Sequence, residues 1–154
     1  MSTAATAALI VRLALVLLFI PFSALDKVLG FENAVHQAQQ VFKPRGLAIV
    51  VLLCGLAIEL VCSTGVVFGV SDRAAALVLA GYCVATAILY KDFWNQGDFW
   101  SNSVGKGRSL FWDFLKNVSL GAGFLIIVVG TDGSQLRAFV DAPLASSHPY
   151  RSHP

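Results

Sequence analysis

The sequence predicts an all-α integral membrane protein, a bundle of four transmembrane helices with a short interfacial amphipathic helix in the first loop. Three observations carry this prediction. Of the 154 residues, 56% are hydrophobic and only 13% charged, and mean hydropathy is +0.72, far from the balance of a soluble domain. The apolar residues fall in four blocks, each near the roughly 20 residues that cross a hydrocarbon core of about 30 Å. None of these blocks alternates with period two. A backbone in lipid must satisfy its own hydrogen bonds, so the blocks read as helices and not as strands of a barrel.

The first span runs from about Ala5 to Leu29. Arg12 ahead of the run Leu13 to Ile20 and then Pro21 resembles a secretory signal. Bulky Phe22 stands where cleavage wants a small residue, so the segment is kept as a span that Pro21 bends in its later turns. In the first loop Phe31, Ala34, Val35, Ala38 and Phe42 recur at helical spacing among Glu32, His36, Gln37, Gln39 and Gln40. That is the pattern of a short helix lying in the interface. Lys43-Pro44-Arg45 ends it and opens the second span, Leu47 to Val70. A turn at Ser71 to Arg73 leads to the third span, Ala74 to Tyr90.

The third loop gathers aromatics as Phe93-Trp94, Phe99-Trp100 and Phe111-Trp112, and the fourth span covers Phe111 to Gly130. An aromatic belt at headgroup level is the ordinary reading of such a loop. Residues 1–130 thus form one membrane domain and residues 131–154 a polar tail. Its last stretch, Ala145 to Pro154, is rich in Ser, His and Pro and has no means of burying itself, so order there points to a partner subunit.

Four crossings put both termini on one face. Loop one carries Lys43 and Arg45 and loop three carries Lys91, Lys106 and Arg108, against Arg73, Arg137 and Arg151 on the terminal face. The positive-inside rule therefore favours loops one and three in the cytoplasm and the termini outside.

Several function classes are set aside. Net charge is only +2 with no basic run, which excludes a nucleic-acid partner. Cys54, Cys62 and Cys83 lie inside apolar blocks without CxxC spacing and read as packing residues. No histidine lies within a span, so the axial ligands of a membrane haem are lacking. His36, His148 and His153 fall in loops without metal-site spacing. Neither a phosphate-binding glycine loop nor GxSxG occurs. Catalysis by this chain alone is not expected.

Ionisable residues within spans cost a few kcal/mol and are rarely accidental. Here they are Arg12, Asp26, Lys27, Glu59, Asp113 and Lys116. Arg12 is about 22 Å up the first helix from Lys27, and Glu59 about 21 Å up the second from Arg45. Taken at one level, Arg12 and Glu59 form an intramembrane ion pair that relieves two desolvation costs. Such a pair either locks two helices or provides a polar site for a proton or a quinone headgroup. A second layer holds Asp26, Lys27, Lys91, Asp92, Asp113 and Lys116 beside Trp94 and Trp112. It reads either as snorkelling at the interface or as a shallow site for a quinone or lipid headgroup.

The residues also carry a resemblance. Arg12, Phe19 and Lys27, then Ile58-Glu59-Leu60, the turn Gly69-Val70-Ser71-Asp72-Arg73-Ala74-Ala75-Ala76-Leu77, Ala85-Thr86-Ala87, Phe93-Trp94 and Phe114-Leu115-Lys116-Asn117 with Gly121 and Gly123 follow in order. Over about residues 9–130 this resembles the DoxX family of small bacterial four-helix membrane proteins. That family includes membrane subunits of thiosulfate:quinone oxidoreductase. Ser23 stands where many relatives have glycine, and Lys91 where many have a histidine before Phe-Trp. The resemblance implies a multi-pass protein of the bacterial inner membrane, associated with respiratory or sulfur redox complexes. Three functions are consistent with the whole reading: an accessory or anchor subunit of a redox complex, a quinone-interacting subunit, and a small transporter or lipid-interacting protein.

Overall fold

The computed structural model describes residues 2–100, 104–130 and 133–150. Arg151 and His153 lie outside the described residues. Among the described residues, four helices are long and apolar enough to cross a membrane: Thr3–Leu29, Arg45–Phe68, Asp72–Asn95 and Lys106–Val129. No strand occurs among the described residues.

The first span is not one continuous α-helix. α1, Thr3–Val16, starts where the Ser2 side chain accepts from the Ala5 N–H at 3.2 Å. It passes into a π-helical turn, Leu18–Ser23, in which Ile20 is extended at φ −120°, ψ 120° ahead of Pro21. Proline has no N–H for the preceding turn, so the helical ladder breaks there. α2, Ala24–Leu29, resumes it.

Next comes α3, Phe31–Gln39, the helix expected in the first loop. Its apolar face is turned onto the chain itself: Val35 and Ala38 are buried against Ala48 and Leu52. Those two belong to α4, Arg45–Phe68, which opens after Pro44 and closes at Gly69 in the left-handed conformation, φ 71°. α5 covers Asp72–Tyr90. α6, Lys106–Val129, starts ahead of the apolar block at Phe111 because Asp98 Oδ1 accepts from the Gly107 N–H at 3.0 Å and holds the first turn.

Burial follows lipid as the outer solvent. Leu29, Val61 and Phe68 are largely exposed, while Ala48, Ser63, Ala76 and Ala87 are buried between helices. Small residues there let helix backbones approach, and the large ones face the hydrocarbon. Phe19, Leu79, Cys83 and Phe124 centre the core, with Phe19 and Phe124 ring centroids 5.9 Å apart.

The tail departs from the expectation that it cannot bury itself. It forms α7, Ser134–Asp141, and then folds back over the α4–α5 turn. Ser71 Oγ donates to the Leu144 carbonyl at 2.9 Å, the Ser147 N–H donates to Asp72 Oδ1 at 2.8 Å, and the Tyr150 hydroxyl donates to the Val67 carbonyl. Polar partners on its own bundle hold this stretch. Burial holds the Tyr150 phenol above its ordinary pKa, which keeps it a donor.

Candidate functional site

Glu59 sits on the buried face of α4, one turn after Gly55 and one turn before Ser63. It is only 1% exposed. Three donors from two other spans converge on its Oε1: Lys27 Nζ in a close ion pair, Ser23 Oγ at 3.2 Å and Tyr82 Oη at 2.8 Å. Lys27 also donates to Ser23 Oγ at 2.8 Å. Ser23 and Lys27 are four residues apart, so a helical turn after the break at Ile20 sets both on one face toward α4. Tyr82 reaches in because position 55 has no side chain. A Cβ at Gly55 would stand 3.0 Å from the Tyr82 hydroxyl oxygen.

Charge at this site is matched but hydrogen bonding is not complete. In its ion pair with the Lys27 ammonium, the Glu59 carboxylate has lone-pair positions that only accept. Oε1 is crowded, whereas Oε2 is buried and has no partner among the described residues. Glu59, Lys27, Ser23 and Tyr82 line a cavity of about 610 Å³ together with apolar residues that include Leu18 and Ile58. Asn33 and Gln37 of α3 also border it. The lining is mixed, with Asp26, Lys91 and Asn117 adding to these polar groups, and a space of this size suits a small amphiphile.

Arg12 and Glu59 do not pair with each other. Arg12 Nη2 lies 2.7 Å from Asp72 Oδ2, Nη1 donates to the Val66 carbonyl at 2.6 Å, and Nη2 donates to Ser147 Oγ at 3.0 Å. The shared level assumed for the two was wrong because Lys27 and Arg45 are not level. Lys27 reaches Glu59, about 21 Å along α4 from Arg45. Arg12 accordingly meets α4 at Val66, about 10 Å beyond Glu59. Two separate buried pairs result, Lys27–Glu59 within the bundle and Arg12–Asp72 beneath the tail.

The expected headgroup layer is divided. Asp26, Lys27 and Lys91 border the cavity, while Asp92, Trp94, Trp112, Asp113 and Lys116 do not. Asp113 lies between Lys91 at 3.6 Å and Lys116 at 3.2 Å. Asp92 accepts from Asn95 at 3.5 Å. Trp94 and Trp112 are about half exposed, stacked edgewise or tilted on Phe93 at 5.1 Å and Phe111 at 5.7 Å. Their exposure is that of an interface belt.

Sequence reasoning missed Ser23, Tyr82, Asp72 and Ser147. Two of these had a signal. A tyrosine hydroxyl in mid-span must find a partner, and Ser23 precedes Lys27 by one helical turn. Asp72 reads from the sequence as a turn residue, and nothing local marks Ser147 as its cap.

A family model, DoxX, matches residues 7–92. The match runs from α1 to just past α5, so it contains Arg12, Lys27, Glu59, Asp72 and Tyr82 and ends before α6. Comparison with curated proteins gives no match, and comparison with solved structures gives none either.

Proposed function

The chain belongs to the DoxX family, and we propose that it is a membrane subunit that holds a quinone headgroup in the Glu59 cavity while partner proteins of a redox assembly carry the electron chemistry. One observation carries the reading: a carboxylate, an ammonium and two hydroxyls from separate elements meet at one end of a cavity of about 610 Å³ among apolar spans. The donors are of the kind that hold quinone oxygens, and Phe19 is among the aromatic residues of the lining. A quinone bound here would supply two-electron redox chemistry. This chain's residues would bind it, orient it and exclude water.

The resemblance to membrane subunits of thiosulfate:quinone oxidoreductase favours the same role, in the inner membrane of a bacterium. Positive charge on loops one and three supports an orientation with those loops in the cytoplasm and the folded tail outside. An accessory or anchor role is compatible with quinone binding and concerns the same assembly. A transporter is disfavoured, since Arg12, Lys27, Glu59 and Asp72 are already held in ion pairs.

Cys54 is exposed and lines the cavity, which makes it a reporter. In a Cys62→Ser background in lipid nanodiscs, a fully ring-substituted short-chain quinone, unable to add to a thiol, should slow maleimide labelling of Cys54 saturably. Lys27→Met should abolish the protection. Labelling unaffected up to the solubility limit of the probe would end the proposal.

A further inference from the structure

Two hollows lie along one seam of the bundle. On α4, Cys54 and Ile58 line the Glu59 cavity, while Val61, Gly65 and Phe68 line a second hollow of about 600 Å³. Steps of four, three, four and three residues put all five on one stripe of the helix. On α5 the corresponding stripe is Leu89, Ala85 and Tyr82 at the cavity, then Val78 and Ala75 at the second hollow. The turn at 69–71 makes α4 and α5 antiparallel neighbours, so the two stripes face each other level by level. At Gly65 an added Cβ would stand 3.3 Å from the Ala75 Cβ, which marks that register. The second hollow therefore continues the cavity along the seam.

The chemistry of the two parts differs. The cavity presents the Lys27 ammonium with the Ser23 and Tyr82 hydroxyls, whereas the second hollow is apolar apart from groups already engaged. Thr64 Oγ1 donates to the Leu60 carbonyl at 2.6 Å, and Ser71 Oγ donates to the Leu144 carbonyl at 2.9 Å. Val61 is 70% exposed and Phe68 71%, so in a bilayer this hollow opens sideways to hydrocarbon. On the side of the first loop the cavity is bordered instead by Asp26, Asn33 and Gln37, all polar and exposed. A hydrocarbon chain keeps apolar surroundings along the seam and loses them past α3.

We infer that the ligand of the Glu59 cavity is a long-chain amphiphile whose hydrocarbon chain lies along the α4–α5 seam, in the hollow formed by Val61, Gly65, Phe68, Ala75 and Val78. This rests on the cavity being the quinone site, and it names the kind of chain that the quinone carries and the path of that chain. From Ile58 to Phe68 the seam runs about 15 Å, room for the first part of an alkyl or isoprenoid chain. Lipid tails are as apolar as the seam, so the chain adds little affinity there. What the seam fixes is the direction in which the chain leaves the ring, and so which edge of the ring meets Lys27.

The experiment therefore reads where the chain lies. A fully ring-substituted quinone with a decyl chain that carries a diazirine is photolysed with the unaltered protein in nanodiscs, and cross-linked peptides are mapped by mass spectrometry. Cross-links are expected on residues 61–68 of α4 and 74–78 of α5. The same ring with a methyl group in place of the chain, at about tenfold higher mole fraction, should lower them about tenfold by mass action at one shared head site. Lys27→Met should abolish them. A phospholipid bearing the same diazirine reports plain bilayer contact, and its labelling of the seam should not respond to the tailless quinone. Seam cross-links that are absent or that the tailless quinone leaves unchanged, or competed cross-links confined to the α3 peptide with Asn33 and Gln37, would overturn the inference while the tailless quinone still protects Cys54. Failure of the tailless quinone to protect Cys54 would overturn the chain path and the quinone site together. The competition on the unaltered protein decides the question even if Lys27→Met does not fold.

Discussion

Two buried ion pairs with different surroundings define this protein at the scale of single residues. Arg12–Asp72 is fully capped: Asp72 accepts from Ser147 at both oxygens as well as pairing with Arg12, and Arg12 also holds the Val66 carbonyl. No buried polar atom of the pair is left without a partner among the described residues, which is the condition for a buried pair to be tolerated. Asp72→Ala would leave Arg12, only 7% exposed, without its counter-charge. The expected loss is about 3–5 kcal/mol of unfolding stability, measured by denaturant titration in a defined detergent. Replacing both partners with leucine should cost less than Asp72→Ala alone, because no charge is stranded. Lys27–Glu59 differs in that one carboxylate oxygen is left unfilled beside a cavity.

At the scale of elements, the site depends on how closely α4 and α5 approach. Gly55 is the point of approach, since a methyl group there would press on the Tyr82 hydroxyl at 3.0 Å. Gly55→Ala should therefore push Tyr82 off Glu59 and reproduce Tyr82→Phe, each weakening the cavity's ligand about fivefold. The double variant should be no weaker than either single one, as expected when two changes remove one interaction. Additive losses in Cys54 protection would refute this coupling.

Much at this scale was legible in the sequence. Four apolar blocks gave the spans, and the helical spacing of Phe31, Ala34, Val35 and Ala38 gave α3. What was not legible is register between helices. The sequence locates Arg12 and Glu59 along their own helices, but their relative level depends on the break at Ile20 and on α3 packing against Ala48 and Leu52. Both are tertiary facts, so the pairing Arg12–Glu59 was wrong in level and therefore in partner. The tail escaped for a similar reason. Its few polar groups find partners only once the α4–α5 turn presents Asp72 and the last carbonyls of α4.

Considered whole, the molecule is a small bundle with its two polar features at different depths. One end is closed by the chain's own tail over Arg12–Asp72, and nearer the first loop a cavity bordered by α3 reaches Lys27–Glu59. The aromatic third loop stands apart, with Trp94 and Trp112 half exposed away from that cavity. This separation divides the two headgroup sites that the sequence allowed, and it makes the location of the ligand the decisive question. Photoaffinity labelling with a short-chain azidoquinone in nanodiscs, mapped by peptide mass spectrometry, answers it directly. The expected result is cross-links on the cavity-facing residues of α3, α4 and α5, competed by unlabelled quinone and lost in Lys27→Met. Cross-links confined to the peptides carrying Trp94 and Trp112, unchanged in Lys27→Met, would contradict a quinone site at Glu59.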